Sequence, residues 1–211
     1  MNPAIPIIAV ASIASVILFF IGWRWASRVW SLPCPSVVGW ALESQFYGRI
    51  TGTETTLKRI GLKPGQRVLE IGPGPGRLLL PAAQQVLPGG DVVGIDIQPG
   101  MVERLKERGT VAKIRNLTAI LGDATQPIVP EASFDVVFLV TTLGEIPDRA
   151  AVLAQAFRAL KSGGILSISE MLPDPHYQSK TTVKRLAEAA GFQLHSVEGG
   201  KWLFTANFVK P

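Results

Sequence analysis

Beyond residue 60, short apolar runs alternate with stretches of mixed helical composition. Val68, Leu69 and Ile71 read as a short buried strand, and residues 91–96, 117–121 and 134–140 read as three more. The last of these, Phe-Asp-Val-Val-Phe-Leu-Val, is almost wholly apolar, which predicts cover on both faces. Helical composition falls between the strands, over 77–87, 100–108 and 148–160. Gly163-Gly164 predicts a turn into a fifth strand, 165–170. A helix over 179–190, stopped by Gly191, precedes two last strands at 192–197 and 202–209. The four residues Glu198-Gly-Gly-Lys join that pair so tightly that it must run antiparallel. The alternation predicts an α/β fold, an open and mostly parallel sheet with helices on both faces.

The stretch from Val68 to Gly76 organises this pattern. The strand ends in an acid, Glu70, and three glycines follow at alternate positions: Gly72, Gly74 and Gly76. A side chain at any of them would fill space at the turn, so the run reads as a place where a ligand approaches the backbone. Strand, glycine turn and helix together make a nucleotide-binding corner. In open sheets of this kind ligands bind at the C-terminal strand ends. Asp96, Asp123 and Val140-Thr141-Thr142 all fall on that edge. A dinucleotide dehydrogenase fingerprint would need a third glycine where Arg77 stands.

Ahead of this domain the pattern changes. Residues 4–23 carry no charge and are rich in Ile, Ala and Val. As a helix they would span about 30 Å, the hydrocarbon thickness of a bilayer. Trp23, Trp25 and Trp30 follow with Arg24 and Arg28, as at a membrane interface. A cleaved signal peptide is the rival reading, but Met1-Asn2-Pro3 supplies no basic region. The expectation is therefore a single-pass membrane anchor with the bulk of the protein facing the cytoplasm. The chain divides into an anchor and its flank (1–30), a proline linker with cover helices at 37–50 and from Thr53 to Ile60 (31–60), and the main domain (61–211). The net charge of +5 suits an anionic bilayer surface. Without a basic stripe interleaved with aromatics, nucleic acid is not an expected partner. The single cysteine, Cys34, excludes an internal disulfide framework.

An ordered set of motifs narrows the ligand: Glu70-Ile-Gly-Pro-Gly-Pro-Gly, Gly94-Ile-Asp96, Leu121-Gly-Asp123-Ala124, Phe134-Asp135 and Leu160-Lys-Ser-Gly-Gly164. At these residues, and from about 55 to 209, the chain resembles the class I S-adenosylmethionine-dependent methyltransferases, in particular their small-molecule, lipid and quinone branch. The resemblance implies a Rossmann-like seven-stranded sheet with an antiparallel last strand. It implies S-adenosylmethionine as cofactor, with its methionine part against Gly72, Gly74 and Gly76 and Glu70 nearby. It further implies that Asp96 accepts from both ribose hydroxyls, that Ile97 and Met101 flank the adenine, that Asp123 takes the adenine amino group beside Ala124, and that Val140 and Thr141 line the floor under the sulfonium.

A methyltransferase needs a base only when the acceptor carries a proton. Glu145, in Leu143-Gly-Glu-Ile-Pro, is the candidate, standing where many relatives carry His; a helix cap near Pro147 is its structural alternative. His176, in Asp174-Pro-His-Tyr, is a candidate substrate contact or a solvated loop histidine. His195, in an alternating strand, reads as structural. No cluster has metal-ligand spacing, so no metal is expected. A pocket held close to the bilayer predicts a lipophilic acceptor: a phospholipid amine, a quinone or a small hydrophobic molecule. Two alternatives stay open, a non-catalytic cofactor-binding assembly partner at the membrane and a nucleotide-dependent oxidoreductase.

Overall fold

The structure is a computed structural model that describes residues 52–211 apart from 173, together with Ser15, Leu18, Gly22 and Trp25. Seven strands form one sheet: β1 (Arg67–Ile71), β2 (Asp91–Asp96), β3 (Leu117–Leu121), β4 (Phe134–Val140), β5 (Leu160–Met171), β6 (Gln193–Gly199) and β7 (Leu203–Val209). Their order is β3-β2-β1-β4-β5-β7-β6, with β7 antiparallel to both its neighbours and every other pairing parallel. Within residues 52–211 five helices accompany it: α1 (Thr53–Ile60), α2 (Leu79–Gln85), α3 (Pro99–Val111), α4 (Arg149–Ala159) and α5 (Lys180–Ala189).

The period of two along the strands divides the core into two layers. Val68, Val92 and Val136 face one way and pack with Leu57 of α1, Leu79 of α2 and Leu105 of α3. Their neighbours Leu69, Val93 and Val137 face the other way, toward Leu153 of α4 and Val183 of α5. Phe134, Phe138, Phe204 and Phe208 are fully buried, each stabilising the fold by roughly 1.5–3 kcal/mol. Local signals start and stop the helices. Asp148 Oδ1 accepts from the Ala151 amide at 2.9 Å to begin α4, and Ser179 Oγ accepts from Thr182 at 3.1 Å to begin α5. Gly61, left-handed at φ 73°, closes α1.

Several boundaries differ from the expected ones. The helix after the glycine turn begins at Leu79 rather than Arg77, because Gly76 N–H closes a turn onto Pro73 O first. Gly163-Gly164 does not end a turn: β5 runs through it from Leu160, with a bulge against β4, because Gly163 N–H and Gly164 O both pair with Lys210. Helix α1 packs onto the sheet, where Asn207 Nδ2 of β7 donates to Arg59 O at 2.9 Å. The anchor, linker and 37–50 helix expectations lie outside the described residues, apart from the four positions named above. Those four are helical and exposed. Among the described residues no helix is long and apolar enough to cross a membrane.

Candidate functional site

The chain proceeds from β1 outward through β2 and β3, then returns to place β4 on the other side of β1. This is the switch point of the sheet, and the strand ends splay apart there. A cavity of about 540 Å³ opens at that place, between the glycine turn, the ends of β2, β3 and β4, and the loop that leads to α4.

The acids at the strand ends hold it. Glu70 is buried, and its Oε2 has no hydrogen-bond partner among the described residues. Burial pushes its carboxyl well above the ordinary range, against the pull of the Arg77 charge. Arg77 itself donates to Thr53 Oγ1 at 2.9 Å. Asp96 is buried too. Its Oδ2 accepts from Gly74 N–H at 3.1 Å and its Oδ1 from Gln98 N–H at 2.9 Å. Burial raises its pKa, and the amides of Gln98, Gly74 and Ile97 oppose the rise. A carboxylate has about four lone-pair sites, so Asp96 keeps accepting capacity for a ligand hydroxyl beside these amides.

The three glycines have three different tasks. A Cβ on Gly72, at φ 72°, would overlap the Thr142 side chain; the bare glycine lets the ends of β1 and β4 meet. Gly74, at φ 52°, has only the Met101 sulfur within 4 Å of such a Cβ, at 3.9 Å. Gly76 lies outside the cavity lining, and its Cβ would stand 2.5 Å from Leu105 Cδ1. It serves the contact between the turn and α3.

The other residues expected at the site divide in the same way. Ile97, Met101, Asp123, Ala124, Val140, Thr141 and Glu145 line the cavity beside Glu70, Gly72, Gly74 and Asp96. Ile97 is exposed at the rim, whereas Met101 is buried. Asp123 uses Oδ1 to accept from the Thr125 amide and hydroxyl, at 2.9 and 2.8 Å, so it is a turn residue as well as a lining one. Thr141 adopts φ 55°, a left-handed conformation uncommon for a β-branched residue. Its amide is tied to Ser169 O and its hydroxyl to Val140 O.

Glu145 does not cap α4, since Asp148 does. His176 is not in the cavity lining and is not a solvated loop residue: it is 5% exposed. Its Nδ1 lies 3.9 Å from Glu145 Oε1 and 3.9 Å from Asp174 Oδ1. His195 is exposed on the edge strand β6. Among the described residues no group of three His, Cys, Asp or Glu side chains could hold a metal ion.

Sequence reasoning passed over Glu170, although it ends an apolar strand just as Glu70 and Asp96 do. It is 1% exposed, its Oε2 accepts from Gln178 N–H at 3.2 Å, and its Oε1 has no hydrogen-bond partner among the described residues. Burial pushes its pKa up to about 8, helped by the charges of Asp174 and Glu145 and opposed by the Gln178 amide and Arg149. An acid whose folded pKa exceeds its unfolded one binds more protons when folded, so it costs stability as pH rises between the two values. Glu170→Gln, which keeps the acceptor for Gln178, should therefore match the wild type near pH 4.5 and melt higher above pH 8. Melting temperature followed by circular dichroism across that window checks this; parallel curves would refute a buried protonated Glu170.

A family model described as "Methyltransferase domain" matches residues 62–203. The chain belongs to that family. The methyltransferase domain is similar to nocamycin O-methyltransferase of Saccharothrix syringae, 37% identical over 54% of this chain and 40% of that protein. It is also similar to phosphoethanolamine N-methyltransferase 1 of Zea mays, 32% identical over 74% of this chain and 31% of that protein. The chain thus matches less than half the length of these relatives. Among solved structures, a SAM-dependent methyltransferase from Aquifex aeolicus shares the fold, with a TM-score of 0.78 over 85% of this chain and all of that one at 24% identity. The domain is a S-adenosylmethionine-dependent methyltransferase domain, and a nucleotide-dependent oxidoreductase is set aside.

The cavity suits that cofactor on its own terms. It offers a backbone cradle at Gly74 where a side chain would intrude, an unpartnered buried carboxyl oxygen on Glu70, and spare accepting capacity on Asp96.

Proposed function

We propose that the protein is a membrane-tethered S-adenosylmethionine-dependent methyltransferase that methylates a lipophilic small molecule. The observation that carries the catalytic part is the buried pair Glu70 and Asp96 at the switch point, flanking a glycine turn. Asp96 would hold the ribose hydroxyls, Gly72 and Gly74 the methionine part, Met101 and Ile97 the adenine faces, Asp123 and Ala124 its edge, and Val140 and Thr141 the floor. The bound cofactor supplies a methyl group whose bond to sulfur breaks as the acceptor's lone pair forms the new bond, the released electron pair staying on sulfur as a neutral thioether.

The chain's own groups orient and deprotonate. Proximity contributes most of the acceleration in such a displacement. Glu145, 20% exposed and lining the cavity beyond the floor residues, accepts a proton from an acceptor that carries one. His176, behind it, holds Glu145 and Asp174 in place. The uncharged residues 4–23 support a bilayer anchor, and the exposure of the apolar Leu18 and Trp25 on a helix agrees with it. The basic flank supports a cytoplasmic side for the domain, and a pocket close to the bilayer favours lipophilic acceptors.

The test is full-length protein in detergent with radiolabelled S-adenosylmethionine and a total membrane-lipid extract. Label in the organic phase is the expected result. Label confined to soluble metabolites would overturn the lipophilic acceptor while leaving the methyltransferase reading in place.

A further inference from the structure

The ligand edge of the sheet carries an exposed apolar pair beside the cavity. The register between β5 and β7 ends at Met171 and Leu203. One step further, Leu172 N–H donates to Trp202 O at 2.8 Å, which sets these two residues opposite each other. Trp202 is 58% exposed and Leu172 42%. Trp202 is also the single tryptophan of residues 52–211. Because β5 runs parallel to β4, the pair lies at the edge where the cavity opens. The chain then turns back, with Asp174 N–H donating to Met171 O at 2.9 Å, and Asp174 lines the cavity.

Scattered apolar residues on a surface are ordinary. Three neighbours set this pair apart. The first is the chain itself. The described domain starts at Gly52, where an added Cβ would stand 2.9 Å from Leu203 Cδ2. The uncharged run 4–23 is therefore joined to the domain beside the pair, through residues 24–51. The second is charge. Lys201 is exposed next to Trp202. Lys180 Nζ donates to Gly199 O at 2.9 Å and lies 5.5 Å from the centre of the Phe204 ring. Arg59 Nη1 donates to Leu203 O at 3.4 Å, and Lys58 precedes it on α1. Glu54 and Glu198 oppose these four cations. The third is shape. Residues 197–202 are exposed throughout, and nothing lies within 4 Å of a Cβ built on Gly200. The tip of the β6–β7 hairpin thus projects from the edge.

These features match a lipid surface. The indole of tryptophan, apolar with one polar tip, suits the boundary between headgroups and acyl chains. Lysine and arginine are drawn to anionic headgroups. A tether that enters at the same place keeps the tip close to the bilayer, so a shallow contact suffices.

We propose that the tip of the β6–β7 hairpin docks on an anionic bilayer, with Trp202 and Leu172 entering the interface and Lys201, Lys180 and Arg59 meeting the headgroups. This rests on the membrane-tethered reading above and names the face that meets the lipid. The cavity opens on the same edge, so docking turns its Asp174 side toward the bilayer, from which a lipophilic acceptor enters.

The experiment uses full-length protein carrying Cys34→Ser and Gly200→Cys, with an environment-sensitive NBD fluorophore on the thiol so introduced. It is reconstituted in vesicles of phosphatidylcholine and phosphatidylserine in equal parts. Flotation with the vesicles in concentrated salt reads the tether, and the fluorophore reads the docking. The protein should float, the emission should shift to the blue, and spin-labelled lipid should quench it. Vesicles of phosphatidylcholine alone should support less quenching. Adding Trp202→Ser and Leu172→Ser should cut the quenching about fivefold, since two apolar side chains lose their place in the lipid. Both side chains are exposed, so the melting temperature should match the parent protein. Flotation without quenching would overturn the docking and leave the tether standing. So would quenching that the added pair of substitutions leaves unchanged. A blue shift that needs no lipid and grows with protein concentration would assign the tip to a second copy and overturn the bilayer as its partner. No flotation would overturn the tether, and the docking with it.

Discussion

Asp96→Ala should lower affinity for S-adenosylhomocysteine at least a hundredfold while leaving the melting temperature within a few degrees of wild type. The side chain acts twice. Its two oxygens pin the glycine turn and the start of α3 to the end of β2, through Gly74 N–H and Gln98 N–H. Its remaining accepting capacity is what a ribose diol would meet. A hydrogen bond to a charged group is worth about 1.5–3 kcal/mol, so the loss of two exceeds the roughly 2.7 kcal/mol of a hundredfold change. The fold is spared because alanine removes a buried carboxylate whose desolvation is unfavourable, and water at the open cavity can satisfy the two amides. The charged form is the better acceptor, and burial raises the Asp96 pKa. Wild-type affinity should therefore fall as pH drops through that raised value, and the variant should lack this dependence. Calorimetry at several pH values reads both effects. Affinity within threefold of wild type would refute the ribose assignment.

The succession of strands along the chain and the edge that carries the site were legible because they follow from local signals. Apolar runs end in Glu70, Asp96 and Val140, and a short turn forces the last two strands to pair. What was illegible depends on contacts between distant residues. The spacing of Gly72, Gly74 and Gly76 marks a tight turn, yet it does not reveal that Gly76 faces Leu105, 29 positions on, while Gly72 faces Thr142. The Gly163-Gly164 pair has turn chemistry, but Lys210 of the last strand's end pairs with both residues and draws them into β5. From Asp-Pro-His-Tyr, His176 reads as either a substrate contact or a solvated loop residue, and its burial is not legible there. Gly144, in the loop after β4, packs directly onto its backbone.

Glu170 was legible in principle. The run Ile165-Leu-Ser-Ile-Ser-Glu170 has the same signature as β1, an apolar strand ending in an acid at the ligand edge. Two strands with this signature bring their acids, Glu70 and Asp96, into the cavity lining. The third strand, β5, carries its acid close to Glu145 and Asp174, outside the cavity lining.

The tight packing between those two loops sets the second large expectation. Gly144→Ala should lower stability by about 3 kcal/mol, the upper part of the range for overpacking, and the melting temperature by roughly 6–12 °C for a domain of this size. The added Cβ would overlap the carbonyl oxygen of His176, with the carbonyl carbon at 2.8 Å. Both obstacles are backbone, so no rotamer change relieves them. Either the loop bearing Leu143 and Glu145 or the segment from Asp174 to Tyr177 must move. The latter is held by the bonds of Asp174 Oδ1 to His176 N–H at 2.7 Å and of Gln178 Nε2 to His176 O at 2.7 Å. Movement of either parts Glu145 from Asp174, so turnover should fall further than cofactor affinity. Gly200→Ala is the control: nothing lies within 4 Å of its Cβ, and its melting temperature should match the wild type. Thermal melts of the two variants side by side decide the matter. Equal stability would mean that the two loops are not locked together at Gly144.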